Sequence, residues 1–156
     1  MSDNAKVWTD CNIDEEDIKL IVKDVLAFRP VIIVGRVKTG KSEFTKALQM
    51  KLGEVLYIDE HTKGIYDRYL GNALDSSLDL FTEICDKECL VTIIDGVNYV
   101  DNFDNIKGLF VNHATGVICT TLDISSIAKF GLDISEFTII KLDRVGKDFV
   151  YEIERG

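Results

Sequence analysis

Hydrophobic and polar positions change period several times along the 156 residues. Ile18, Ile21, Val22 and Val25 recur at the three- and four-residue spacing of a helix buried on one side. Asn12 with Glu15 ahead of them has the form of a capping box. Pro30 ends that helix and opens Val31-Ile32-Ile33-Val34, a continuous β-branched run of the kind that forms a strand buried on both faces. Ser42 to Leu52 returns to helical spacing, with Phe44, Ala47 and Leu48 inward and Gly53 as the stop. The alternation then repeats. Strands are predicted at Val55 to Ile58, Leu90 to Ile94, Gly116 to Thr120 and Phe137 to Leu142, with helical stretches around Ile65 to Leu70, Leu78 to Lys87, Phe103 to Phe110 and Ser125 to Phe130. Val145 to Asp148 then turns the chain into Phe149 to Ile153, a closing antiparallel hairpin.

Strands alternating with helices predict an α/β fold: a three-layer α/β/α sandwich with a mostly parallel five-stranded sheet, plus the C-terminal hairpin. The length is that of one domain, 1–156. Within it the pattern separates an N-terminal arm and helix (1–29), a core (30–142) and the hairpin (143–156). In such sheets ligands bind at the carboxyl ends of the strands, and the residues with candidate chemistry stand there.

Gly35-Arg36-Val37-Lys38-Thr39-Gly40-Lys41-Ser42 fits GxxxxGK[ST], the P-loop or Walker A pattern, and it leaves a buried strand to enter a helix. Gly35 and Gly40 permit backbone angles that let successive N–H groups point at a phosphate. The helix that follows, with Glu43 in its first turn, adds the positive end of its dipole. Lys41 is then expected to bridge the β- and γ-phosphates of ATP, and the Ser42 hydroxyl to ligate Mg²⁺. Arg36 and Lys38 add charge beside the nucleotide. Asp95 closes an apolar strand as a Walker B acid would and is the expected second support of the metal.

Hydrolysis needs a group that orients and deprotonates water. The residue after Asp95 is Gly96, so that group is sought at the end of the neighbouring strand, in Asp59-Glu60. Glu60 has the longer reach and Asp59 is the fallback; the other reading is that both cap the next helix. Thr120 and Thr121 end the fourth strand, where a hydroxyl can sense the γ-phosphate or simply belong to the strand. His61 and His113 are isolated, and neither is assigned to a metal.

Composition narrows the partners. The net charge is −9, which argues against broad, non-specific nucleic-acid binding. No basic n-region opens the chain and no apolar run approaches a membrane span, so a cytoplasmic protein with no membrane contact is expected. Cys11, Cys85, Cys89 and Cys119 lack CxxC pairing and read as reduced thiols.

The order of loop, acid-ended second strand, Asp95 and polar-ended fourth strand resembles the RecA-like and AAA-type ATPases, the additional-strand P-loop NTPases. Tyr57-Ile58-Asp59-Glu60-His61 followed by Ile65 to Gly71 is similar to the segment after the second core strand of RecA-type recombinases. There the catalytic glutamate precedes a histidine, which favours Glu60. The resemblance covers about residues 30–142 and leaves no room for the recombinases' DNA-binding loops. It implies a Mg²⁺-dependent ATPase that couples hydrolysis to a conformational or assembly change, with DNA metabolism as one setting. It further implies a homo-oligomer or protein complex in which an arginine completes a neighbour's site; Arg144 and Arg155 are the candidates. The alternatives are a small-molecule or nucleotide kinase, set back by the lack of an arginine-bearing lid, and a nucleotide-binding switch with little hydrolysis. A GTPase is set aside, because neither [NT]KxD nor DxxG occurs.

Overall fold

The computed structural model describes residues 5–9, 12–52, 55–58, 91–96, 116–128 and 132–155. Along the chain these form β1 (Lys6–Trp8), α1 (Glu15–Leu26), β2 (Val31–Val34), α2 (Lys41–Leu52), β3 (Val55–Ile58), β4 (Val91–Ile94), β5 (Gly116–Thr121), a single turn α3 (Ser125–Ala128), a 3₁₀ turn (Ile134–Glu136), β6 (Thr138–Val145) and β7 (Asp148–Arg155). The strands make one sheet in the order β1-β7-β6-β2-β5-β4-β3. The five strands from β6 to β3 are mutually parallel, with Val31 beside Ile118 on one side and Thr138 on the other. β7 returns antiparallel on β6, and β1 runs antiparallel on β7 with Trp8 opposite Phe149. The fold is therefore α/β with a mixed sheet.

The sheet has seven strands among the described residues, where the sequence pattern predicts five and a hairpin. Two facts account for the difference. β6 is at once the last parallel strand and the first arm of the hairpin. β1 lies in the stretch expected to be an arm, held by its pairing with β7. The helices predicted within 65–70, 78–87 and 103–110 lie outside the described residues, as does the expected stop at Gly53.

Local chemistry sets the helix ends. Asp14, rather than Asn12, caps α1: its carboxylate accepts from the Glu16 N–H at 2.9 Å. Glu15, Glu16 and Asp17 follow in the first turn, where negative charge meets the positive end of the helix dipole. At the other end the chain leaves the helix before Pro30, through Phe28 at φ 63°, and the Arg29 N–H closes on the Asp24 carbonyl at 2.8 Å.

α1 and α2 pack together and cover one face of the sheet. Ile21 and Val25 from α1 and Phe44 and Leu48 from α2 are wholly buried there against Val31, Ile33, Ile118 and Ile140. Truncating one such side chain, Leu48→Ala for example, costs about 2–5 kcal/mol. The pleat sends alternate residues the other way; Ile32, Ile94 and Cys119 are buried on that opposite side. Among the described residues no helix is long and apolar enough to cross a membrane.

At the amino end of the parallel strands the buried Asp24 carboxylate accepts from Thr138 Oγ1 (2.7 Å) and from Arg155 Nε and Nη2 (3.1 and 2.9 Å). The Arg29 guanidinium reaches Thr138 Oγ1 and the Phe137 carbonyl. This network ties the end of α1 to both strands of the hairpin. It leaves the carboxyl end of the sheet to carry the loops.

Candidate functional site

Gly35 to Ser42 lies at the carboxyl end of β2, flanked by β5 and β6. The Gly35 N–H donates to the Thr121 carbonyl at 3.1 Å, which continues the β2–β5 ladder by one bond before the chain turns away. Gly35 is buried, and a Cβ there would meet Thr39 Oγ1 at 2.4 Å. The Thr39 hydroxyl in turn donates to the Arg36 carbonyl at 2.7 Å, so the loop is folded on itself by its own side chain. Lys38 (φ 66°) and Gly40 (φ 87°) both take left-handed backbone. For lysine that conformation costs roughly 1–2 kcal/mol, and strain of this kind gathers at functional loops.

The chain then enters α2 at Lys41. The N–H groups of Gly40, Lys41, Ser42 and Glu43 donate to no acceptor among the described residues. The Lys41 ammonium lies across the loop, donating to the carbonyls of Gly35 (2.6 Å) and Arg36 (2.9 Å). Partial burial pulls its pKa below the ordinary lysine value, and the nearby Asp95 carboxylate opposes that shift. Arg36, Val37, Lys38 and Glu43 are exposed. Val37, at 68% exposure, projects from the loop tip without packing.

Below the loop, Ser42 Oγ donates to Asp95 Oδ2 at 3.1 Å. Thr120 Oγ1 donates to Asp95 Oδ1 at 2.7 Å and accepts the Gly96 N–H at 2.7 Å. Asp95 follows β4, and β5 stands between it and β2. The hydroxyl of buried Thr120 bridges that gap and fixes the carboxylate. Thr121 is turned elsewhere, its hydroxyl donating to the Asp123 carbonyl. Lys41 and Ser42 thus meet Asp95 and Thr120, from distant parts of the sequence, at the carboxyl end of the sheet. Glu60 and Asp59 lie outside the described residues. A cavity of about 630 Å³ lies over the β6–β7 surface, lined by Ile139, Lys141, Asp143, Val150 and Glu152, and reaches only Gly35 and Arg36 of the loop; Lys41, Ser42, Asp95 and Thr120 do not line it.

This donor set suits an anion with a divalent cation. The N–H groups at 40–43, without acceptors among the described residues, and the Lys41 ammonium are anion-binding groups. A hydroxyl and a carboxylate, both hard oxygen ligands, stand beneath. Among the described residues no cluster of three or more His, Cys, Asp or Glu could hold a metal alone.

The two arginines separate. Arg155 pairs with Thr138 at the amino end of the sheet and is committed to Asp24. Arg144 is the next-to-last residue of β6, at its carboxyl end, with its guanidinium 5.4 Å from the centre of the Phe149 ring. A further residue escaped the sequence pattern: Trp8, from β1, lies against Gly40. Its only local signal is a large apolar side chain in an otherwise polar stretch.

No family model matches this chain, and no curated protein matches it. Among solved structures it is similar to the crystal structure of YdiB from Bacillus subtilis, at 17% identity and a TM-score of 0.47, over 97% of this chain and 86% of that one. At that identity and score the likeness decides nothing about function.

Proposed function

We propose that the chain binds Mg²⁺-ATP at the Gly35–Ser42 loop and hydrolyses it to drive a conformational or assembly change, as an additional-strand P-loop NTPase of three-layer, RecA-like build. The observation that carries this reading is the meeting of Ser42, Asp95 and Thr120 beside a loop whose N–H groups at 40–43 donate to no acceptor among the described residues. The N–H groups at 40–43 and Lys41 would hold the phosphates. Ser42 and Asp95 would hold Mg²⁺, which when bound neutralises charge developing on the transferred phosphoryl group. Thr120 keeps the Asp95 carboxylate aimed at Ser42. Glu60 is the acid assigned to orient and deprotonate water, with Asp59 as its substitute.

Phosphate release from ATP, measured with and without DNA and beside a panel of small acceptors, tests the assignment. Glu60→Gln is expected to keep ATP binding and slow release by orders of magnitude, because an amide cannot accept the water's proton. Unchanged release in both Glu60→Gln and Asp59→Asn would rule out an acid on the second strand. The switch reading, nucleotide binding with little turnover, is favoured by one feature: Gly96 at φ 86° stands where many such enzymes carry a glutamate. Of the two arginines proposed to complete a neighbour's site, Arg144 is the one left available.

A further inference from the structure

We infer that Trp8 is a positioning residue for the Gly35–Ser42 loop, its indole propping Gly40 from behind. β1 is short, and of its three residues only Trp8 is buried, at 2% exposure. A Cβ built on Gly40 would lie 2.8 Å from Trp8 Cζ2, 3.1 Å from Cη2 and 3.6 Å from Phe149 Cδ1. Glycine is thus required at 40 twice over, by its φ of 87° and by the ring that fills the space where a side chain would go. The ring itself is gripped. It stands edge-on to Phe44 of α2 (5.1 Å, 88°) and tilted on Phe149 of β7 (5.8 Å).

The atoms that reach Gly40 belong to the six-membered lobe of the indole, which a phenylalanine at the same place lacks. Trp8 Nε1 is buried without a hydrogen-bond partner among the described residues. An unpaired buried donor is destabilising, so tryptophan is a poor choice for merely filling this core; the reach of its outer lobe is what offsets that penalty. Because Gly40 is the last residue before the free N–H groups of Lys41 to Glu43, holding it fixes their direction. The N-terminal strand and the hairpin thereby become part of the loop's support. The affinity effect rests on the nucleotide reading above; the effect on the loop does not.

The test uses the full chain with Trp8→Leu and Trp8→Phe, following amide hydrogen exchange at Phe44, whose N–H donates to the Gly40 carbonyl at 2.9 Å, without nucleotide, and ATP affinity with Mg²⁺. Both variants should exchange faster at that amide. ATP should bind about tenfold more weakly to Trp8→Leu, the loss expected when one more residue must be ordered on binding, and to an intermediate degree in Trp8→Phe. Turnover at saturating ATP should stay near wild type, since the loop once bound is the same. Trp8→Phe keeps most of the core filled and decides the matter if Trp8→Leu does not fold. Wild-type exchange and wild-type affinity in a folded variant would overturn the inference. Faster exchange in the variants, with a wild-type chain that does not bind ATP, would support the loop's support by Trp8 and overturn the nucleotide reading alone.

Discussion

Gly40→Ala, made alone and in a Trp8→Leu background, measures how the loop is held. Two costs are expected in the single variant. Alanine at φ 87° pays for a left-handed backbone, roughly 1–2 kcal/mol. Its Cβ also enters the 2.8 Å gap to Trp8 Cζ2, and forcing an extra carbon into packed space costs about 1–3 kcal/mol. The sum is about 2–5 kcal/mol. Leucine at position 8 withdraws the outer lobe of the ring, so in that background only the backbone part, roughly 1–2 kcal/mol, should remain. The coupling energy of the cycle is then about 1–3 kcal/mol. Urea unfolding followed by far-ultraviolet circular dichroism reads all four proteins without relying on tryptophan emission. An alanine that costs the same in both backgrounds would refute the contact as a constraint on the loop.

Two further outcomes are expected from the buried polar and titratable groups. Thr120→Val deprives the Gly96 N–H of its acceptor and lowers stability by about 1–3 kcal/mol, toward the lower end because Gly96 is only half-buried; a change in unfolding free energy below about 0.5 kcal/mol would show that bond to be dispensable. Burial pushes the Cys119 thiol up to about 12, so its neutral form stabilises the fold fully below the unfolded value of about 8.5 and progressively less as pH rises toward the folded one. Between about pH 8 and about pH 10 the wild type should lose about 2 kcal/mol more than Cys119→Ala, and equal losses in urea titrations would contradict it.

What was legible in the sequence follows from the range of the forces involved. β2, β4 and β5 are written as largely apolar runs because their neighbours bury them on both faces, and α1 and α2, before and after β2 in the chain, follow the predicted alternation. The loop motif is equally local, since its backbone angles select glycine at 40. β1 is not legible: Lys6-Val7-Trp8 has three residues, and its strand character comes from β7, far away in the chain. The cap on α1 is misplaced by two residues because Asn12 and Asp14 are both competent acceptors and only backbone geometry chooses. Phe28 ends the same helix in a conformation its side chain does not advertise. At the site, Thr120 and Thr121 are equivalent as letters; the pleat alone turns one hydroxyl to Asp95 and the other to Asp123. The two arginines part for a like reason, since the antiparallel course of β7 carries Arg155 to the far end of the sheet.

The central claim, nucleotide held by the Gly35–Ser42 loop, is tested most directly by calorimetric titration of ATP with Mg²⁺ into the wild-type chain and into Lys41→Ala. The Lys41 ammonium lies across the loop carbonyls, and a hydrogen bond from a charged group contributes about 1.5–3 kcal/mol. The wild type should bind, and the variant should bind about tenfold to a hundredfold more weakly while remaining folded. A wild-type chain that takes up no ATP, or a Lys41→Ala chain that titrates like wild type, would contradict it.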